Sequence, residues 1–153
     1  MKITDQLQLH SPAGNSALTI GVFDGVHRGH RHLLSRLKSE ADRHRLTSVV
    51  ITFPDHPRGV GHSDIAPMLL TTIGERVALL RETGVDLVIP VSFDKALSTL
   101  TAREFAVLLK EHVHMTGLVV GPDFAMGHRR EGDGTTLAAL GQEMGFFVEM
   151  VEP

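Results

Sequence analysis

Residues 18–34 read LTIGVFDGVHRGHRHLL, and the fold turns on this stretch. Leu18, Thr19, Ile20, Gly21, Val22 and Phe23 form an apolar, partly β-branched run that ends in a glycine-containing turn. Leu33, Leu34, Leu37 and Ala41 then recur at helical spacing. The pattern predicts strand, tight turn and helix. Gly21, Gly25 and Gly29 let the backbone approach a ligand closely, and the helix that opens there turns unpaired N–H groups and its positive dipole end toward that ligand. Such a turn favours an anion, and phosphate is the natural one. The spacing of His27 and His30 sets both imidazoles on one side of the first helical turn, beside the same anion.

The alternation continues along the chain. The helix runs from about His30 to Arg45, with a polar face of Arg31, Arg36, Lys38, Glu40, Asp42 and Arg43 read as solvated. Residues 48–53, SVVITF, have the character of a buried parallel strand. Thr72 and Glu75 stand at capping-box spacing before Ile73, Val77 and Leu80, and Gly84 stops that helix. A strand over 86–93, a capped helix beginning at Thr101 and Glu104, and a short strand over 116–121 follow. Leu137, Leu140 and Met144 mark a helix ended by Gly145, and residues 146–151 a last strand. Residues 1–16 are read as a short edge strand or a loosely packed lead-in. Residues 54–71, PDHPRGVGHSDIAPMLLT, are irregular, and a connection of that length in a compact domain is usually functional or disordered. About five strands alternating with helices predict an α/β, Rossmann-like, doubly wound parallel sheet with helices on both faces. Ligands are expected at the carboxyl ends of its strands.

With 153 residues, 42% hydrophobic and 22% charged, the chain is read as one globular domain over 1–153. Its formal charge of −3 offers no basic field for nucleic acid or an anionic membrane, so small molecules are the expected partners. There is no cysteine, which excludes disulfides and thiolate metal sites and fits the cytoplasm expected for a start without a signal-peptide pattern. No apolar run in the sequence approaches the length of a membrane span. His27, His30 and His32 suggest a metal cluster at first sight, but no carboxylate at ligand spacing joins them, and no protein-ligated metal is assigned. His10, His44, His62, His112 and His114 are read as solvated surface residues.

The order Gly-x-Phe-Asp-Gly-x-His-x-Gly-His, formed by Gly21, Phe23, Asp24, Gly25, His27, Gly29 and His30, resembles the first signature of the HIGH-type nucleotidyltransferases. In this form it is similar to the adenylyltransferase module of bacterial FAD synthetases. The resemblance extends from about Leu18 to Val151. Thr52, Phe53, His56, Pro57 and Arg58 match a block that helps hold the flavin in that family, with Pro54 and Asp55 in the reverse of the usual acidic-then-proline order. Gly121, Asp123, Phe124, Gly127, Arg130, Gly132 and Asp133 resemble a second block, with Met126 where a phenylalanine is usual. In that block Asp123 can accept from substrate hydroxyls or amides, and Arg130 can grip a phosphate in a fork. A solvated arginine turn and a core phenylalanine are the plainer readings of Arg130 and Phe124. Leu70-Thr-Thr, Glu75-Arg76 and Gly84-Val85-Asp86 also match and are read as scaffold.

The resemblance implies transfer of AMP from ATP to FMN, giving FAD and pyrophosphate, with Mg²⁺ bridging the ATP phosphates. It implies His27 and His30 as the catalytic pair. Gly21, Phe23, Asp24, Gly25, Gly29, Phe53, His56, Pro57, Gly121, Asp123, Phe124 and Arg130 are the implied contacts to ATP and FMN. The family's Ser-Ser-Thr-x-Ile-Arg signature and its riboflavin kinase domain do not occur within these residues. Alternative readings are a non-catalytic or truncated nucleotide- or flavin-binding module and a related nucleotidyltransferase with another phosphate acceptor.

Overall fold

A computed structural model describes residues 2–53, 71–92, 95–122, 124 and 132–152. Its elements are α1 (Ile3–Leu9), β1 (Ser16–Gly21), α2 (Arg28–His44), β2 (Thr47–Thr52), α3 (Ile73–Glu82), β3 (Leu87–Pro90), α4 (Lys95–Ser98), α5 (Ala102–Val113), β4 (Met115–Val120), α6 (Gly134–Met144) and β5 (Phe147–Met150). The strands form a single five-stranded sheet, ordered β3-β2-β1-β4-β5. Every neighbouring pair is parallel.

Period-two alternation divides the core between the two faces of the sheet. Ala17, Val50, Val88 and Val119 pack with Leu34, Leu37 and Ala41 of α2 and Leu80 of α3. Leu18, Ile20, Val49, Ile51, Ile89 and Leu118 pack on the other face with Leu7 of α1, Phe105 and Leu109 of α5, and Leu137 of α6. The chain winds outward from β1 through β2 to β3, then crosses back to β4 and β5. The order therefore reverses between β1 and β4, and in open α/β sheets ligands bind at this switch point, outside the carboxyl ends of the strands.

Local chemistry accounts for the ends of the helices. Thr72 and Glu75 close a reciprocal capping box on α3, and Thr101 and Glu104 do the same on α5. Gly84 and Gly145 take the positive φ values of 92° and 84° that end α3 and α6. Among the described residues no helix is long and apolar enough to cross a membrane.

The structure corrects several expectations. The N-terminal segment is a helix, not a strand, because Leu7 is wholly buried and α1 packs beside α5. The polar face of α2 is not uniformly solvated. Glu40 is buried, with ion pairs to Arg36 at 3.1 Å and Arg43 at 3.2 Å and with the His44 Nε2 at 3.4 Å, and Arg36 also reaches Glu149 of β5. Nor is His44 simply solvated, since its ring stacks on Phe147 at 4.8 Å. β5 is an edge strand with partly exposed residues rather than a buried one.

Candidate active site

β1 ends at Gly21 and the chain enters a tight turn whose backbone is left-handed at Phe23 (φ 55°), Gly25 (φ 74°) and Val26 (φ 45°). Glycine adopts such a φ freely, whereas a β-branched valine does so only under constraint from its surroundings, at a cost of about 1–3 kcal/mol. Val26 is buried, which holds it there. The Phe23 ring folds back over β1, and a Cβ at Gly21 would come within 3.0 Å of that ring. Gly21 thus admits the Phe23 ring.

Phe23 then supports the histidines. Its ring meets His30 edge-on at 5.2 Å, and His30 stacks on His27 with ring centres 3.6 Å apart. His27 is the N-cap of α2. Its Nδ1 accepts the backbone N–H of Gly29 at 3.2 Å, and the His30 Nδ1 accepts the backbone N–H of His27 at 3.2 Å. A nitrogen that accepts a backbone N–H carries no proton, so each neutral imidazole holds its proton on Nε2. Burial first, and the neighbouring His27 second, lower His30 to about 4 against the opposing pull of Asp24. At neutral pH His30 is therefore an uncharged Nε2–H donor. A ring carbon of His27 lies 3.2 Å from where a Cβ at Gly29 would sit, so this position is tight for any side chain.

Asp24 faces inward. Its Oδ1 accepts from the Thr71 backbone N–H at 2.8 Å and from the Thr71 hydroxyl at 2.6 Å, and lies 3.9 Å from the Arg76 guanidinium. The Gly25 N–H reaches Thr71 Oγ1 at 3.4 Å. Thr52, at the end of β2, donates to the Val22 carbonyl at 2.8 Å. The next residue, Phe53, is buried in the core, and its carbonyl accepts from Arg76. At the neighbouring strand end, Gly121 follows β4, and a Cβ there would meet nothing within 4 Å among the described residues. Phe124 is half-buried against the core, with its N–H on the Gly121 carbonyl at 3.2 Å.

The fold thus brings Gly21, Phe23, Asp24, Gly25, His27, Gly29, His30, Phe53, Gly121 and Phe124 to one edge of the sheet. His56, Pro57, Asp123 and Arg130 lie outside the described residues. No group of three or more His, Cys, Asp or Glu side chains among the described residues could hold a metal ion. Chemically, the arrangement offers neutral N–H donors and the positive end of a 17-residue helix beside the reversal point of the sheet, a setting for a phosphate chain.

The fold has a solved counterpart with a TM-score of 0.85 over 96% of this chain and 48% of the other, a structure named as a macrolide-efflux protein from Streptococcus pneumoniae. At 23% identity the likeness shows the fold alone. Sequence relatives say more. Escherichia coli (strain K12) bifunctional riboflavin kinase/FMN adenylyltransferase is 43% identical over 137 residues, covering 89% of this chain and 44% of that protein. The Haemophilus influenzae protein of the same name is 37% identical over 134 residues, covering 87% and 44%. The chain therefore spans less than half the length of these curated relatives. The FAD synthetase family model matches residues 10–153, which takes in the histidine-capped turn and the whole sheet. The chain belongs to the FAD synthetase family.

Proposed function

We propose that this chain carries out the FMN adenylyltransferase half of the family's chemistry, joining ATP and FMN into FAD and pyrophosphate. An FMN phosphate oxygen forms a bond to the α-phosphorus of ATP as the bond from that phosphorus to the bridging oxygen breaks. The electron pair leaves with pyrophosphate, and no covalent bond to the protein is needed. The work of the chain is to position the reactants and to meet the charge that gathers on the departing phosphates. His27 and His30 supply Nε2–H donors for that charge, and the amino end of α2 adds its dipole.

The observation that carries this reading is the backbone contact made by each imidazole of the pair, which assigns its tautomer. Both Nδ1 atoms are occupied by backbone N–H groups at 3.2 Å, so the ε edges are the donors left for a ligand. A neutral His30 can hydrogen-bond an oxyanion without first losing or gaining a proton. Gly121, where no described atom lies within 4 Å of a built Cβ, is the close-approach position at the end of β4. Mg²⁺ would come bound to the triphosphate and supply charge shielding there, with no protein side chain assigned to hold it. His56, Pro57, Asp123 and Arg130 complete the contacts to FMN and ATP. The activity is cytoplasmic, acts on small molecules and takes no nucleic acid.

The test is incubation of the purified chain with FMN, ATP and Mg²⁺, followed by separation of the flavins. FAD should form in the wild type and not in the His27→Ala, His30→Ala double variant. If FMN and ATP bind but no FAD forms, this chain is a binding module; if neither binds, the flavin reading fails.

A further inference from the structure

We propose that Arg76 is a positioning residue, one that holds the His27–His30 turn in register with both ends of the 54–70 segment. The proposal rests on the adenylyl-transfer reading, but its structural half stands without it. The side chain of Arg76 is fully buried, with a relative exposure of 0%. A guanidinium in that position is strongly destabilising unless every face of it is met. Its partners come from the segments that bound the site. One is the Phe53 carbonyl, where the chain leaves β2. Others are the Thr71 carbonyl at 3.1 Å and the Thr71 hydroxyl at 3.3 Å, where the chain returns before α3. Another is the Asp24 carboxylate in the β1–α2 turn at 3.9 Å.

Thr71 is the hub of this bracket. Its hydroxyl donates to Asp24 at 2.6 Å while accepting from Arg76 at 3.3 Å and from the Gly25 N–H at 3.4 Å. The direct contact between Arg76 and Asp24 is long, so most of the coupling runs through Thr71. The held turn contains the positive-φ residues Phe23, Gly25 and Val26. Strained backbone persists only where its surroundings over-determine it, and the bracket supplies such a constraint from outside the turn. The consequence reaches the histidines by two routes. Phe23 touches the His30 ring, and the Asp24 carboxylate raises the proton affinity of that ring. Any buried guanidinium needs partners; what marks this one is that they come from the His27–His30 turn and from the residues on either side of 54–70.

The test uses Arg76→Lys, which keeps the charge but not the planar fork, and Thr71→Val, which removes the hub hydroxyl with little change in shape. Each is measured for thermal midpoint, for kcat and KM with ATP and FMN, and for the His30 imidazole ¹⁵N signals across a pH titration. Arg76→Lys should stay folded at 25 °C, lose about ten- to a hundredfold in kcat, as a misplacement near 1 Å does, and change KM by less than about threefold. Its His30 signals should move. Thr71→Val should shift both readouts in the same direction by less, and it decides the matter if Arg76→Lys does not fold. If the wild-type chain makes no FAD, the functional reading is lost and the imidazole signals alone judge the bracket: movement supports it, and wild-type signals in a folded variant overturn it. Wild-type kcat with unmoved His30 signals would make Arg76 structural only, whatever the thermal midpoint.

Discussion

The His30 ring accepts the backbone N–H of His27 at 3.2 Å while stacking on the His27 ring at 3.6 Å, so one imidazole both caps α2 and presents a donor to the site. The two roles use different nitrogens and can be separated. In His30→Ala the lost cap should cost about 1 kcal/mol of stability, and the lost donor on the order of 10²–10³ in turnover. His30→Asn puts an oxygen near the Nδ1 position, so stability should recover while turnover stays low. Denaturant midpoints and FAD formation measured on the same preparations check this. Full activity in either variant would remove His30 from the chemistry.

Protonation of His30 should be visible in the pH dependence of stability. Its pKa lies near 4 in the folded chain, below the ordinary 6.5. Between those values the unfolded chain binds the proton more readily than the folded one, so stability falls as pH drops through that window. Above the ordinary histidine value this contribution is level. An NMR titration should give His30 a midpoint well below that of a free histidine. His27→Gln should raise it by removing a neighbour that lowers it, and Asp24→Asn should lower it further. The opposite signs would mean that the turn is arranged differently in solution.

Gly21 tests the stack from beneath. An alanine Cβ would lie 3.0 Å from two carbons of the Phe23 ring, and that ring is buried and abuts His30. Gly21→Ala should therefore cost about 1–3 kcal/mol and lower turnover as well, because the ring cannot yield without moving His30. Shaving the ring in a Gly21→Ala, Phe23→Leu double variant should return part of the stability and little of the activity. Thermal midpoints with FAD assays distinguish this from simple loss of fold.

What the sequence revealed depended on whether the signal was local. The strand, turn and helix around Gly21 and His30, and the capping boxes at Thr72 and Thr101, are written within a few residues and stand where the spacing puts them. The N-terminal helix was hidden because Leu7 and Leu9 alternate as in a strand, and only burial of Leu7 against the rest of the core selects the other period. α4 is too short, at four residues, for any periodicity to show. Arg76 passed as scaffold, yet it sits three residues after Ile73 and four before Leu80, on the apolar face of α3. Charge on such a face was the available sign, and Glu40 beside Leu37 and Ala41 carries the same sign. The roles of Asp24 and Thr71 required the fold, since their contact joins residues 47 positions apart in the chain.

Two helical glycines should respond in opposite ways to the same change. Glycine in a helix interior is ordinarily worse than alanine by roughly 0.5–1 kcal/mol. Gly74 lies in the first turn of α3, and no described atom comes within 4 Å of a built Cβ, so Gly74→Ala should gain stability, by less than about 1 kcal/mol because the turn is terminal. Gly141 of α6 lies where its Cβ would come within 2.4 Å of the Phe146 carbonyl oxygen. That backbone is fixed, because the N–H groups of Gly145 and Phe146 both bond to the Gly141 carbonyl, at 2.8 Å and 3.0 Å, as α6 ends and β5 begins. The oxygen cannot move aside as a flexible side chain would, and Gly141→Ala should lose about 1–3 kcal/mol despite its better helix propensity. Denaturant unfolding of both variants checks the pair. A stabilised Gly141→Ala would mean that α6 and β5 do not close on each other as described, and with them the sheet edge beside β4.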